Sequence, residues 1–324
     1  MIQFSEVTKK YGDFTAVDRL TFSVESGKTT VLIGPSGCGK TTSLRMVNRM
    51  IEPTGGYVYV EGKPVKSFPP EELRRRIGYV IQSVGLFPHM SVRDNISIVP
   101  KLLGWDKNRR YGRAEELLEL MGMDSSVYGT KRPEELSGGE AQRIGVARAL
   151  AVDPPLLLMD EPFGAVDPLN RETLQKEFLE LQRKVKKTVI FVTHDIDEAI
   201  RVADRIVLMR DGRLVQEDTP ERLLASPADD FVRSFVGDDR ALKRLACFRV
   251  EDYMRPVEAV TEGDNGTRAV ELSTNVRDAL SRILGYGVKY VRVEDGEGRL
   301  AGRIYLSDIE RLNQETEMEN EGAE

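Results

Sequence analysis

The sequence predicts an α/β fold built around a mostly parallel sheet, with an antiparallel β subdomain, a helix-rich insertion and a small second domain at the C-terminal end. Three short apolar runs carry that prediction: Thr30–Ile33 (TVLI), Leu156–Met159 (LLLM) and Thr188–Val192 (TVIFV). None alternates polar with apolar residues, which is the mark of strands covered on both faces. Each run stops at a polar or glycine-rich cluster, GPSGCGKTT, DEP and THD respectively. Ligands of open α/β sheets sit at the carboxyl ends of the strands, so three separate strands deliver their clusters to one place.

The flanking segments follow in order. Residues 1–27 alternate (MIQFSEV, LTFSVESG) and read as antiparallel strands, and 56–62 (GYVYVEG) reads as another. Residues 88–153 read as helices, with RAEELLELM amphipathic and Asp153-Pro154-Pro155 closing the last one. After a strand at Ile206–Met209 and a turn at Asp211-Gly212, helices are expected to start at Thr219-Pro220 and Ser226-Pro227. The texture changes near 250, where VRDALSRILGYG, KYVRVEDGEGRL and AGRIYLSDIERL suggest a small βαβ-like unit. The reading therefore divides the chain into a domain at 1–237, a linker at 238–249, a small domain at 250–312 and an acidic, solvated tail at 313–324.

Composition narrows the function. With 40% hydrophobic and 31% charged residues the 324-residue chain is globular, and its net charge of −6 argues against a nucleic-acid surface. No apolar run approaches the ~18–20 residues needed to span a bilayer, and the charged N-terminus does not suit a signal peptide. Two cysteines imply no disulfide framework and suit a reducing cytoplasm. Service to a membrane would then be rendered from its cytoplasmic face, by a peripheral subunit.

Gly34-Pro35-Ser36-Gly37-Cys38-Gly39-Lys40-Thr41 matches the pattern G-x-x-x-x-G-K-[ST], after a strand and before the helical run that opens with Thr42. Glycines let successive N–H groups turn inward onto phosphate at a helix N-terminus. Lys40 is placed to reach the β- and γ-phosphates of ATP, and Thr41 to ligate Mg2+. At the end of the LLLM strand, Asp160 suits the Mg2+ partner and Glu161 the group that polarises attacking water. His194, at the next strand end, is placed for the γ-phosphate. His89 lacks such support and reads as a loop residue, and Cys38 as a small filler whose modification would block nucleotide.

Ser137-Gly138-Gly139-Glu140 poses a different problem. S-x-x-E is a capping box, and Ser137 and Glu140 need no further purpose to be where they are. Two glycines inside it are not explained by capping. A bare helix N-terminus with a serine is an anion receptor for close approach, and the P-loop already encloses one side of this chain's nucleotide. The remaining reading is that this stretch faces phosphate bound to a second copy.

In this order GPSGCGKT, the glutamine of VIQSVGLFPHM, LSGGEAQR, LLLMDEP, GAVD and VTHD resemble the nucleotide-binding subunit of ATP-binding-cassette (ABC) transporters, over residues 1–237. The resemblance implies a RecA-like P-loop NTPase core with an antiparallel subdomain and a helical subdomain at about 88–153. It implies that Tyr11 stacks on adenine, that Gln82 lies near Mg2+ and water, and that Asp167 lies across a dimer interface. Glu140 replaces the commoner glutamine, and GAVD the commoner SALD. The partners implied are a second copy closing head to tail on two ATP molecules, transmembrane permease subunits and, indirectly, an extracytoplasmic substrate-binding protein.

Residues 250–312 resemble a single CBS domain, with Tyr305 three before the acid Asp308. Together with the cassette this resembles the quaternary-amine importers of glycine betaine, choline, carnitine or proline. Tyr305 at the usual hydroxyl position argues against adenosine-nucleotide binding, leaving ionic-strength sensing or dimer support for that unit. The rivals are importers of another small solute, an ABC ATPase acting on nucleic acid or ribosomes, and a regulatory module centred on the CBS segment. A single cassette, no heptad run and an acidic balance oppose the second of these.

Overall fold

The computed structural model describes residues 1–82, 85–164, 166–256 and 269–312. The chain divides into two compact units, Met1–Glu217 and Asp218–Glu324. Strands run β1 (Ile2–Tyr11), β2 (Phe14–Val24), β3 (Thr29–Ile33), β4 (Gly55–Val60), β5 (Lys63–Pro64), β6 (Ile77–Val80), β7 (Leu156–Asp160), β8 (Thr188–Val192), β9 (Arg205–Arg210) and β10 (Arg213–Asp218).

The first sheet has the order β2-β1-β4-β5, with β1 antiparallel to both neighbours. Its alternation buries one face, where Phe4 and Phe22 stack at 4.4 Å. The second sheet has the order β10-β9-β3-β8-β7-β6, and the pairs from β9 to β6 are all parallel. Every residue of β3, β7 and β8 is buried. That is why these runs do not alternate: both faces are covered, so neither selects polar side chains. Phe191 of β8 is fully buried and meets the rings of Phe163 and Phe178 at 5.8 and 6.0 Å.

The helix-rich insertion holds Val92–Ile96, Ile98–Leu102, Lys107–Leu120, Ser125–Tyr128 and Gly138–Leu150. Asn95, fully buried, pins the loop leading into it. Its side chain accepts from Phe87 N at 2.7 Å and donates to the carbonyl oxygens of Phe87, Met90 and Ser91.

The second unit begins earlier than the boundary at 237 read from the sequence. Helix Pro220–Ala225 packs with Arg240–Arg244, and Arg244 reaches Glu221 at 2.7 Å. Residues 238–249, read as a linker, are instead ordered by packing: they include that helix and Leu245, which is fully buried in the second unit's core. The helix read at Ser226-Pro227 starts instead at Asp230, where Asp229 accepts from Val232 N at 2.8 Å. The carboxylate of Asp229, three residues after Ser226, caps the helix and decides the start. The C-terminal sheet has the order β11 (Arg255–Pro256), β14 (Leu300–Tyr305), β13 (Tyr290–Glu294), β12 (Ala269–Glu271). β12 and β13 are parallel and joined through helix Val276–Tyr286, a βαβ unit. The segment 257–268 of the CBS-like reading and the tail 313–324 lie outside the described residues.

Because Phe191 has no exposed surface and sits beneath the strand ends, Phe191→Ala should cost about 3–5 kcal/mol of stability. Urea denaturation followed by fluorescence checks this; a loss under 1 kcal/mol would mean that the aromatic cluster does not hold the sheet.

Candidate nucleotide site

Four parallel neighbours, β3, β8, β7 and β6, end side by side. From them come the P-loop, His194, Asp160-Glu161 and Gln82 in turn. Two P-loop glycines are required by the chain itself. Gly34 has φ +148° and an added Cβ would fall 2.1 Å from Met209 O; Gly39 has φ +103° and a Cβ there would meet Ala16 O at 2.5 Å. The tip, Pro35-Ser36-Gly37, is exposed, while Cys38, Gly39 and Lys40 are buried. Helix Lys40–Val47 starts from Gly39 with no side-chain cap. Its first N–H groups have no intrahelical acceptor, which suits an anion.

Lys40 Nζ donates to Gly34 O at 2.7 Å and Pro35 O at 3.0 Å, so the loop holds the ammonium at its own centre. Cys38 Sγ lies 3.7 Å from that ammonium, yet burial pushes its thiol pKa up. A sheltered, protonated thiol reacts slowly with thiol reagents. Thr42 follows, half-buried on the first helical turn.

Thr41 Oγ1 donates to Asp160 Oδ1 at 2.9 Å, bringing together a hydroxyl from the first helical turn after β3 and a buried carboxylate at the end of β7. Tyr79 and Arg45 flank Asp160 Oδ2 at 3.4 and 3.7 Å. Among the described residues no cluster of three or more His, Cys, Asp or Glu forms a metal cage. A hydroxyl and one carboxylate suit Mg2+, which keeps waters and phosphate oxygens as its other ligands.

Glu161 is the focus of the next group. Its N–H donates to Val192 O at 2.9 Å, and its backbone takes φ +47°, a left-handed geometry that costs a non-glycine residue about 1–3 kcal/mol. Gln82 Nε2 donates to Glu161 Oε2 at 2.9 Å, and His194 Nδ1 lies 3.3 Å from the same oxygen. His194 is itself exposed, and His89 sits apart in a loop beside Phe87. Tyr11 is exposed at the end of β1 with Lys9 Nζ 4.9 Å from its ring. Asp167 caps helix Pro168–Val185, accepting from Asn170 N at 3.2 Å.

Ser137 and Glu140 form the capping box read from the sequence: Glu140 N donates to Ser137 Oγ at 3.3 Å, and Ser137 N to Glu140 Oε2 at 2.7 Å. Neither Gly138 nor Gly139 has a positive φ. An added Cβ would meet nothing within 4 Å at Gly138 and only Leu174 at 3.7 Å at Gly139. Nothing in this chain's own packing calls for those two glycines. Sequence reading missed Tyr128, whose hydroxyl donates to Glu140 Oε1 at 2.6 Å, and the bidentate pair of Arg143 with Glu177 at 2.7 Å on both arms. Both join residues far apart along the chain, so no local pattern announces them.

An uncapped P-loop, the Thr41–Asp160 pair and Glu161 on adjoining strand ends define a P-loop nucleotide hydrolase. The ABC transporter family matches residues 17–164. The chain is 48% identical to the osmoprotectant import ATP-binding protein OsmV of Salmonella typhimurium, over 92% of this chain and 76% of that one. It is 52% identical to the carnitine transport ATP-binding protein OpuCA of Listeria monocytogenes, over 95% and 92%. It superposes with TM-score 0.60 and 31% identity on a dimeric post-hydrolysis state of the ATP-binding cassette MJ0796 bound to ADP and Pi, over 68% of this chain and 99% of that one. The chain belongs to the family of ABC transporter ATP-binding proteins. It binds ATP with Mg2+ and hydrolyses it, as the membrane-associated ATP-binding subunit of a transporter that works with permease partners. Among the described residues, no helix is long and apolar enough to cross a membrane.

Tyr128 first, and the Ser137 N–H second, hold the Glu140 carboxyl down to about 2, against an ordinary value of 4.5. A depressed carboxylate contributes stability that is complete above about pH 4.5 and lost as pH falls from there toward 2. Tyr128→Phe should therefore move the Glu140 midpoint back toward 4.5. An NMR titration of the Glu140 side-chain carboxyl reads it; an unmoved midpoint would show that the hydroxyl does not hold this helix start.

Proposed function

We propose that the chain is the ATPase of an importer for a quaternary-amine osmoprotectant such as glycine betaine, carnitine or choline. In this reading it sits peripherally on the cytoplasmic face of the membrane, drives two permease subunits, and receives solute indirectly from an extracytoplasmic binding protein. The cargo rests on one observation: relatives named for these solutes match both compact units, not the cassette alone.

Two chains meet head to tail with two ATP molecules between them. Tyr11 stacks on adenine, while residues 34–42 wrap the phosphates and Lys40 neutralises them. Thr41 and Asp160 hold Mg2+, with Gln82 at its edge; the ion, when bound, offsets phosphate charge. Glu161, oriented by Gln82 and His194, accepts the proton of the attacking water, and His194 faces the γ-phosphate. Ser137, Gly138 and Gly139, presented by the box that Glu140 closes, come from the other copy, with Asp167 beside them. The γ-phosphate is thus a ligand of the closed pair alone, and its loss reopens the pair. The support for the second copy is Gly138: it is exposed, has negative φ and has open space around it, so only something outside this chain forbids a side chain there.

That reading separates two substitutions. Gly138→Ala should stabilise the isolated chain, by up to about 1 kcal/mol from helix propensity, yet depress ATP turnover and ATP-dependent dimerisation. Glu161→Gln should cut turnover about 10²–10⁴-fold while leaving ATP bound and the dimer shut. Thermal melts, phosphate release and light scattering read these; full turnover in Gly138→Ala would remove the second copy from the site. For the cargo, the complex reconstituted in liposomes should accumulate labelled glycine betaine, carnitine or choline only with ATP inside and Glu161 intact. ATP-driven uptake of none of the three would sink the cargo assignment and leave the ATPase reading standing.

A further inference from the structure

Helix Pro168–Val185 follows Asp167 and helix Ile196–Val202 follows His194 and Asp195, so both helices start at the nucleotide site. Their facing flanks carry a ladder of polar contacts that the proposed hydrolysis does not use. Arg171 Nη1 lies 3.8 Å from Asp195 Oδ2, Gln175 Nε2 donates to Glu198 Oε1 at 3.1 Å, and Arg201 Nη1 donates to Gln175 Oε1 at 3.1 Å. Spacings of three and four along each helix place these residues on one flank apiece. The middle rung is the costly one. Gln175 and Glu198 are each 5% exposed, and burial pushes the Glu198 carboxyl above its ordinary value. An apolar pair of the same volume would hold the two helices together at least as firmly. Stability therefore does not explain the pair, whereas a buried hydrogen bond fixes one relative position of its elements.

Relative position matters because of what stands at the helix starts. Asp195 caps helix Ile196–Val202, accepting from Asp197 N at 2.9 Å and Glu198 N at 3.1 Å, so Glu198 is bonded to the residue that follows His194. On the other side Thr193, 2% exposed, donates its N–H to Leu32 O at 3.2 Å, and its hydroxyl accepts from Asp195 N at 3.0 Å. The backbone at His194 is thus held between β3 and the second helix, while its exposed ring lies 3.3 Å from Glu161 Oε2. Arg171 also donates to Val166 O at 3.2 Å, tying the ladder to the residue before Asp167. We propose that Gln175 and Glu198 are a positioning pair: by fixing the second helix against the first, they set where His194 stands beside Glu161. They act on turnover through His194, without touching substrate. The inference rests on the reading of His194 at the γ-phosphate and adds to it the groups that hold it there.

Two double variants of the full-length protein test this, by phosphate release for kcat and KM and by thermal melting. Gln175→Met with Glu198→Met replaces the pair by apolar side chains of the same length. It should melt no more than about 4 °C below the unaltered protein, keep its KM for ATP within about twofold, and lose about ten- to hundredfold in kcat. The exchange, Gln175→Glu with Glu198→Gln, keeps the hydrogen bond and should turn over within about twofold of the unaltered protein. On a His194→Ala background the methionine pair should cost less than about twofold more, because its effect runs through a ring no longer present. A smaller loss of kcat in the methionine pair, a larger fall in melting point or a failure to fold, an exchanged pair slower than expected, or a larger added loss beside His194→Ala would each overturn the proposal. His194→Ala alone separates it from the reading beneath it. Full turnover there removes His194 from the site and the positioning pair with it; a slow His194→Ala beside a fast methionine pair overturns the positioning pair alone.

Discussion

The site depends on one constraint, the parallel register of β3, β8, β7 and β6. Parallel pairing points four carboxyl ends the same way, and the register Met159↔Phe191 and Leu32↔Val192 holds them level. A phosphate loop, a hydroxyl–carboxylate pair and the Glu161 carboxylate with its two polar neighbours thereby meet although up to about 160 residues separate them in sequence. Apart from the threonines that open them, Thr29, Thr30 and Thr188, β3, β7 and β8 are apolar until their carboxyl ends, and the charged and polar groups of the site gather there. The same burial that makes the runs featureless makes their last residues informative.

The two helix N-termini of the proposed nucleotide site solve the problem of exposed N–H groups in opposite ways. The P-loop helix has no side-chain cap, and its glycines are demanded by its own backbone and by Met209 and Ala16. The helix at Gly138 carries a side-chain capping box, Ser137 with Glu140, braced by Tyr128. Its glycines are demanded by nothing inside the chain. An uncapped end that needs glycine is built to receive an anion in its own loop. A capped end that tolerates any residue locally but has glycine is shaped for an approach from outside.

How much of this was legible in the sequence follows from the range of each interaction. β3, β7 and β8 appeared within a residue of their observed bounds, since burial on both faces writes an unbroken apolar run. Glu161 and His194 were brought together by their places at strand ends and Gln82 by the family resemblance alone, and the carboxylate oxygen that Gln82 and His194 share was not legible. The order of residues 238–249 was hidden because short polar-looking helices such as Arg240–Arg244 are fixed by tertiary packing and not by periodicity. The start of the helix at Asp230 was misplaced because Ser226-Pro227 and Asp229 offer competing signals, and the carboxylate cap prevails. In the second unit, Asp308 was singled out by resemblance alone. It accepts from Tyr305 N three residues away and is engaged on both oxygens by Arg255, a tie across the unit that leaves no trace in local sequence.

A mechanical conclusion follows from the long-range contacts that no motif records. Glu161 is tied to β8 by its N–H, and Phe163 just beyond it is packed between Phe178 and Phe191. Phe178 lies on helix Pro168–Val185, and the same helix carries Glu177, which grips Arg143 of helix Gly138–Leu150 with two hydrogen bonds. The chain of contact from Glu161 to the glycine-bearing helix is therefore continuous within one molecule. A bidentate guanidinium–carboxylate pair fixes orientation as well as distance, so displacement of one helix is felt at the other. The strand end that bears Glu161 and the helix that bears Gly138 are thereby braced against each other inside one molecule.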